Sequence, residues 1–132
     1  MSQENVEIVR GITRAINHGD VDYVIRHTTA DAVIIVARSA VEGAFVGSEG
    51  VRTFFADNRQ NFEVFELREE EVRAIGDDRV LSAGTVHVRG RGGGVETEVP
   101  FAGITTFRDG KVSRWEDFRE RHTALKAVGL EE

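Results

Sequence analysis

The chain has 132 residues, of which 40% are hydrophobic and 30% charged, with a formal net charge of −6 and no cysteine. That is the length and composition of one ordinary globular domain with a core of its own. The acidic balance argues against a nucleic-acid partner, which needs a concentrated basic face, and the missing cysteines remove disulfides, thiolate chemistry and cysteine-ligated zinc together.

The opening, "MSQENVEIVR", has no basic region followed by a long apolar one, so no secretory signal is expected. Ser2 can cap a first helix, with Glu4 favourable in its positive first turn. Val6, Val9, Ile12 and Ile16 form an apolar stripe at helical spacing, and Gly19 in "NHGD" is a suitable stop. Asp20 then caps a short second helix, roughly 21–28. "DAVIIVAR" reads as a strand buried on both faces. Its apolar run, "AVIIVA" at 32–37, is far too short to cross a bilayer. "GAFVGSEG" follows as a glycine-punctuated loop, and Ser48 opens a third helix whose Val51, Phe54 and Phe55 point one way.

After about residue 62 the pattern becomes that of strands, at roughly 63–75, 79–90, 95–108 and 111–119, joined by "GDD", "GRGGG" and "RDGK". Asp109-Gly110 is a strong hairpin turn. The last segment, "RERHTALKAVG", is a short helix or a frayed tail. Helices followed by an antiparallel meander give the α+β class. A long curved sheet with helices on one side leaves a cone, and the mouth of an unfilled cone is a pocket. No polybasic run attracts anionic lipid, so no membrane partner is expected; the acidic balance leaves no nucleic-acid partner, and the missing cysteines and signal fit a cytoplasmic protein.

The stretches "VEIVRGITRAINHGDVD", "GAFVGSEGVRTFF", "IGDDRVL" and "FRDGKV" together resemble the SnoaL-like branch of the nuclear transport factor 2-like superfamily. The resemblance runs along almost the whole chain and implies one such domain over 1–132. It implies a cone-shaped curved antiparallel sheet with N-terminal helices over its concave face, a pocket between them, and a homodimer through the convex face. Strands such as "GITTF", apolar on both faces, fit that dimer. Members include ketosteroid isomerases, polyketide cyclases, dehydratases and epoxide hydrolases, so the implied partner is a small hydrophobic organic molecule, with no cofactor.

The isomerases of the superfamily use a carboxylate base and an oxyanion hole made by a tyrosine and a protonated acid. Laid against them, Ile12 stands at the tyrosine, Val36 at the base and Ala102 at the oxyanion acid. All three are apolar, so that route to steroid isomerisation is not expected, and the three positions become pocket lining. The same placement turns Trp115, Asp117 and Arg119 of the last strand to the concave side and puts Thr28 on the pocket side. From alternation alone this was open, because Val112 and Phe118 give the other face an equal apolar claim.

Asp117 and Arg119, an acid and a base two apart on one strand face, can pair and then orient a water or hold a ligand carbonyl or carboxylate. The plain alternative is a solvated salt bridge of little consequence. The epoxide hydrolases use an acid–arginine–acid arrangement, and "DFR" resembles part of it, without a second acid that the sequence identifies. Trp115 is either a flat wall for a ligand or core with its N–H tied to a partner. Arg38 ends the first strand, either at the cone's mouth or at the surface. Tyr23 points its hydroxyl into the pocket or into water. His18, His27, His87 and His122 have no metal-ligand spacing. "RGRGGG" at 89–94 lacks the lysine and hydroxyl of a phosphate loop and reads as a flexible hairpin. "REEEVR" at 68–73 reads as a solvated or dimer-facing strand edge. Beside the ligand-binding reading stands a second one, a non-catalytic dimeric scaffold whose cone is filled by its own side chains.

Overall fold

A computed structural model describes residues 2–37 and 39–130. Its elements, in chain order, are α1 (Ser2–His18), α2 (Val21–Arg26), β1 (Thr28–Ile35), α3 (Ser39–Glu42), β2 (Phe45–Val46), α4 (Gly47–Asn61), β3 (Phe62–Ile75), β4 (Arg79–Gly90), β5 (Glu96–Arg108), β6 (Lys111–Phe118) and α5 (Arg121–Ala127). The six strands form one curved, unclosed sheet in the order β2-β1-β6-β5-β4-β3. Pairing is antiparallel throughout except between β1 and β6, which run parallel. This is the expected α+β cone with one parallel junction, made possible because two helices and four strands separate β1 from β6 in the chain.

Local chemistry explains most boundaries. Asp20 accepts from the Tyr23 backbone N–H at 3.2 Å and so caps α2. Asp109 and Gly110 both have positive φ, as the tight β5–β6 hairpin requires. The stretch expected to be a loop at 43–50 is more ordered than that. It holds the short strand β2, and α4 starts at Gly47 after Val46 with no side-chain cap, so Ser48 is inside the helix. β1 also begins earlier than the apolar run suggests, at Thr28, because its first residues are held beside β6.

The main core lies between the helices and the concave face. Val6, Val9, Ile12 and Ala15 of α1 meet Val51, Phe54 and Phe55 of α4 and, from the sheet, Val80, Phe107, Val112 and Trp115. α1 also ties to the β3 edge at Leu67. Asn17 Nδ2 donates to the Leu67 carbonyl at 2.9 Å, and the Leu67 N–H donates back to Asn17 Oδ1 at 2.8 Å.

A second core sits on the convex face, where Ala124 and Leu125 of α5 are enclosed with Leu81, Ala83, Ala102 and Ile104. This explains why "GITTF" is apolar on both sides: Ile104 lies under α5 of the same chain. The feature that supported a dimer is satisfied within one chain.

Candidate functional site

The site is built on the last hairpin and depends on one extra residue. Thr106 pairs with Arg114 but Phe107 pairs with Val112, so Ser113 is bulged out of register. Its hydroxyl donates to the Thr106 carbonyl at 3.2 Å. The bulge shifts the alternation by one residue, and Val112 and Trp115, three apart, both enter the core under the helices. Period-two reasoning could not place both on one face.

From Trp115 onward the strand alternates normally, and Asp117 shares the concave face with it. The indole N–H of Trp115 donates to Asp117 Oδ1 at 2.6 Å. Directly across on β5 is Gly103. A Cβ there would lie 2.9 Å from Asp117 Oδ1 and 3.3 Å from the indole Cζ2, so the missing side chain is the floor on which the pair rests. Burial pushes the Asp117 carboxyl up to about 7, against a smaller lowering by the indole hydrogen bond. The residue as a whole keeps partial exposure, so the carboxyl sits at the edge of the core rather than sealed within it.

The row continues across the sheet. Gly103 pairs with Ser82 on β4, and Ser82 Oγ donates to Glu69 Oε2 on β3 at 2.7 Å. A strand spacing of about 4.8 Å puts Ser82 and Asp117 about 10 Å apart at Cα. The concave face therefore carries two carboxyl groups on either side of the bare Gly103 backbone, each held by one donor. Glu69 and Ser82 are the functional candidates that sequence reasoning missed. Glu69 stood in "REEEVR", where a bulge between Glu69 and Glu71 decides which glutamate faces inward.

Arg119 departs from expectation. β6 ends at Phe118, and Arg119 lies beyond it, exposed. Among the described residues it makes no ion pair with Asp117, whose partner is Trp115 instead. Ala102 is also displaced: it is fully buried on the convex face under α5, one residue out of phase with Gly103. Ile12 and Val36 do lie against the concave core. Thr28 is buried, but its hydroxyl is committed to the Ile25 carbonyl at 3.2 Å. Tyr23 packs on α1 at Gly11, where any Cβ would collide with its ring and hydroxyl, and its ring centroid is 4.3 Å from that of His27. Arg38 falls outside the described residues.

The histidines stay apart from this row. His87 Nε2 lies 2.8 Å from Glu96 Oε2 on the convex side, and His122 Nδ1 lies 3.0 Å from Glu120 Oε2. Burial first, then Arg26 and Lys111, lowers the pKa of His27. Among the described residues no group of three or more histidine, aspartate or glutamate side chains could hold a metal ion. Nor is any helix there long and apolar enough to cross a membrane.

Two clefts stand out among the described residues. One, of about 310 Å³, lies between α1 and β3 and is lined by Arg10, Thr13, Arg14, Glu69 and Val72. The other, of about 360 Å³, lies between β2 and α4. Neither reaches Trp115 or Asp117; the first touches the row at Glu69.

Comparison with solved structures gives full-length likeness at low identity. An NTF2-like protein of unknown function from Burkholderia pseudomallei superposes with a TM-score of 0.78 at 19% identity, over 98% of this chain and 99% of that one. A hypothetical protein with a ketosteroid isomerase-like fold from Catenulispora acidiphila, in complex with trimethylamine, gives 0.76 at 18%, over 94% and 93%. TerC, co-crystallised with polyporic acid, gives 0.77 at 22%, over 95% and 97%. At such identities the likeness is one of fold. No curated protein matches significantly. The family model of the SnoaL-like domain matches residues 9–115, from the middle of α1 to Trp115. The chain belongs to the SnoaL-like domain family, built on the nuclear transport factor 2-like fold.

Proposed function

We propose that the concave face binds a small hydrophobic organic molecule and that Asp117 exchanges a proton with it. The observation that carries this reading is the Asp117 carboxyl on the Gly103 floor, fixed by the Trp115 N–H and pushed up to about 7 by burial. A carboxyl titrating near neutrality can act as acid or base at physiological pH. Trp115 packs the carbon skeleton, and Ile12 and Val36 line the apolar side. Fold neighbours in complex with trimethylamine and co-crystallised with polyporic acid support an organic ligand for this architecture. An isomerase, cyclase or hydrolase step would use Asp117. Arg119 is not part of the proposal.

The test is a thermal-shift screen with sterols, polyketide-like aromatics, terpenoid epoxides and fatty acids, on the wild type and on Asp117→Asn. Binding raises the melting temperature; a hit weakened by the substitution supports the reading.

One observation favours a second reading, the non-catalytic scaffold. Trp115 is only 7% exposed and packs with Val9, Ile12, Phe54 and Phe55, filling the place a ligand would take. A blank screen favours the scaffold. A cytoplasmic homodimer is proposed for either reading, to be checked by light scattering and by localisation of a tagged chain.

A further inference from the structure

Charge is sorted across the sheet. In β3 to β6 the pairing register puts every lysine and arginine, Arg68, Arg73, Arg79, Arg89, Arg108, Lys111 and Arg114, at convex positions. The concave positions of the same strands carry no basic residue and two carboxyl groups, Glu69 and Asp117. Neither result follows from composition, because the four strands contain seven basic residues and alternation alone would divide them between the faces.

Asp117 is the more isolated of the two. Its hydrogen-bonding partner among the described residues is the Trp115 N–H on Oδ1, and among those residues no cationic group contributes to the shift of its pKa. Arg119, the side chain expected to neutralise it, lies outside the strand. Arg10 and Arg14 of α1 line the cleft beside Glu69, at the far end of the row. A desolvated carboxylate with no cation beside it among the described residues is costly when ionised, and a ligand cation removes that cost.

The surroundings suit an ammonium group with an apolar body. Along β5 the concave positions next to Gly103 are Phe101 and Val99, and Val99 pairs with Val86 of β4. Phe101 is buried, whereas Val99 is 47% exposed, so this apolar strip runs outward from the acid towards solvent. An aromatic ring beside a carboxylate is a favourable setting for an amine.

We propose that the concave shelf is selective for organic cations: a small amine places its N–H on Asp117 and its apolar substituents along Gly103, Phe101 and Val99. This rests on the concave-site reading above and adds the charge of the ligand.

The experiment compares three probes of similar size at pH 8 by titration calorimetry: N,N-dimethylbenzylamine, the neutral benzyl methyl ketone, and phenylacetate. The amine is expected to bind tighter than the ketone by about tenfold or more, as a charge-assisted contact allows, and phenylacetate weakest of all. In Asp117→Asn, whose amide oxygen can still accept from the indole, the preference for the amine should collapse to near unity. Should that variant fail to fold, the wild type still answers. Trp115 is the only tryptophan, and its indole N–H resonance should move with the amine and not with phenylacetate. A ketone binding as tightly as the amine overturns the cation selectivity and leaves the concave site standing. If none of the three binds, the site reading falls with it.

Discussion

The Trp115 indole N–H meets Asp117 Oδ1 at 2.6 Å directly over Gly103, which leaves no room for a Cβ beneath either side chain. Gly103→Ala should therefore disturb both at once. The added methyl would sit 2.9 Å from the carboxyl oxygen, and neither neighbour is the free end of a flexible chain. Chemical denaturation should show a loss of about 1–3 kcal/mol, the usual cost of overpacking. The emission of the single tryptophan should shift to the red as its hydrogen bond to Asp117 is lost. An unchanged spectrum with full stability would mean that the floor is not where the register puts it.

Asp117→Asn should change stability with a definite sign in pH. The folded carboxyl titrates at about 7 against an ordinary value of 3.8, so between those values the folded chain holds more protons than the unfolded one. Stability from this group therefore falls as pH rises from about 4 to about 7, and is level above that. The asparagine variant escapes the loss. It should match the wild type near pH 4 and exceed it at pH 8 by roughly 2 kcal/mol, less than the full shift would carry because the residue is partly exposed. Melting curves of the two proteins across that range are the check, and a difference independent of pH would contradict the assignment.

Gly11 and Tyr23 form a second close approach, between α1 and α2. Gly11→Ala should cost about 1–3 kcal/mol through the clash with the Tyr23 ring, despite alanine's better helix propensity. Adding Tyr23→Ala should recover part of that cost. The non-additivity, read from a double-mutant cycle by denaturation, reports the contact itself.

Leu125 tests the convex core. It is fully buried in α5 against Leu81 and Ile104, so Leu125→Ala should destabilise by about 2–5 kcal/mol. A cost under 1 kcal/mol would show that α5 does not hold the convex face in solution.

What was legible in the residues divides by range. The α+β order, the α1 stripe, the Asp20 cap and the Asp109-Gly110 turn are local features, and each is present in the fold. The face of Trp115 and Asp117 was reached through resemblance, and the physical reason for it is the Ser113 bulge, which alternation cannot register. The pairing of Asp117 with Arg119 failed because the strand stops at Phe118, and strand ends are poorly marked where charged residues continue on both sides. Ala102 was one residue out of phase, and in a strand one residue is the difference between the two faces. Glu69 was hidden among three consecutive glutamates, since the β3 bulge and the cross-strand bond from Ser82 that distinguish it are not local features.

The account turns on Asp117 being a desolvated carboxyl at the concave floor, and carbon-13 NMR of its side-chain carboxyl through a pH titration tests that most directly. The expected midpoint is about 7, with the Trp115 indole N–H resonance moving in step. A midpoint near the ordinary 3.8, with the indole resonance unmoved, would place the carboxyl in water and contradict the account.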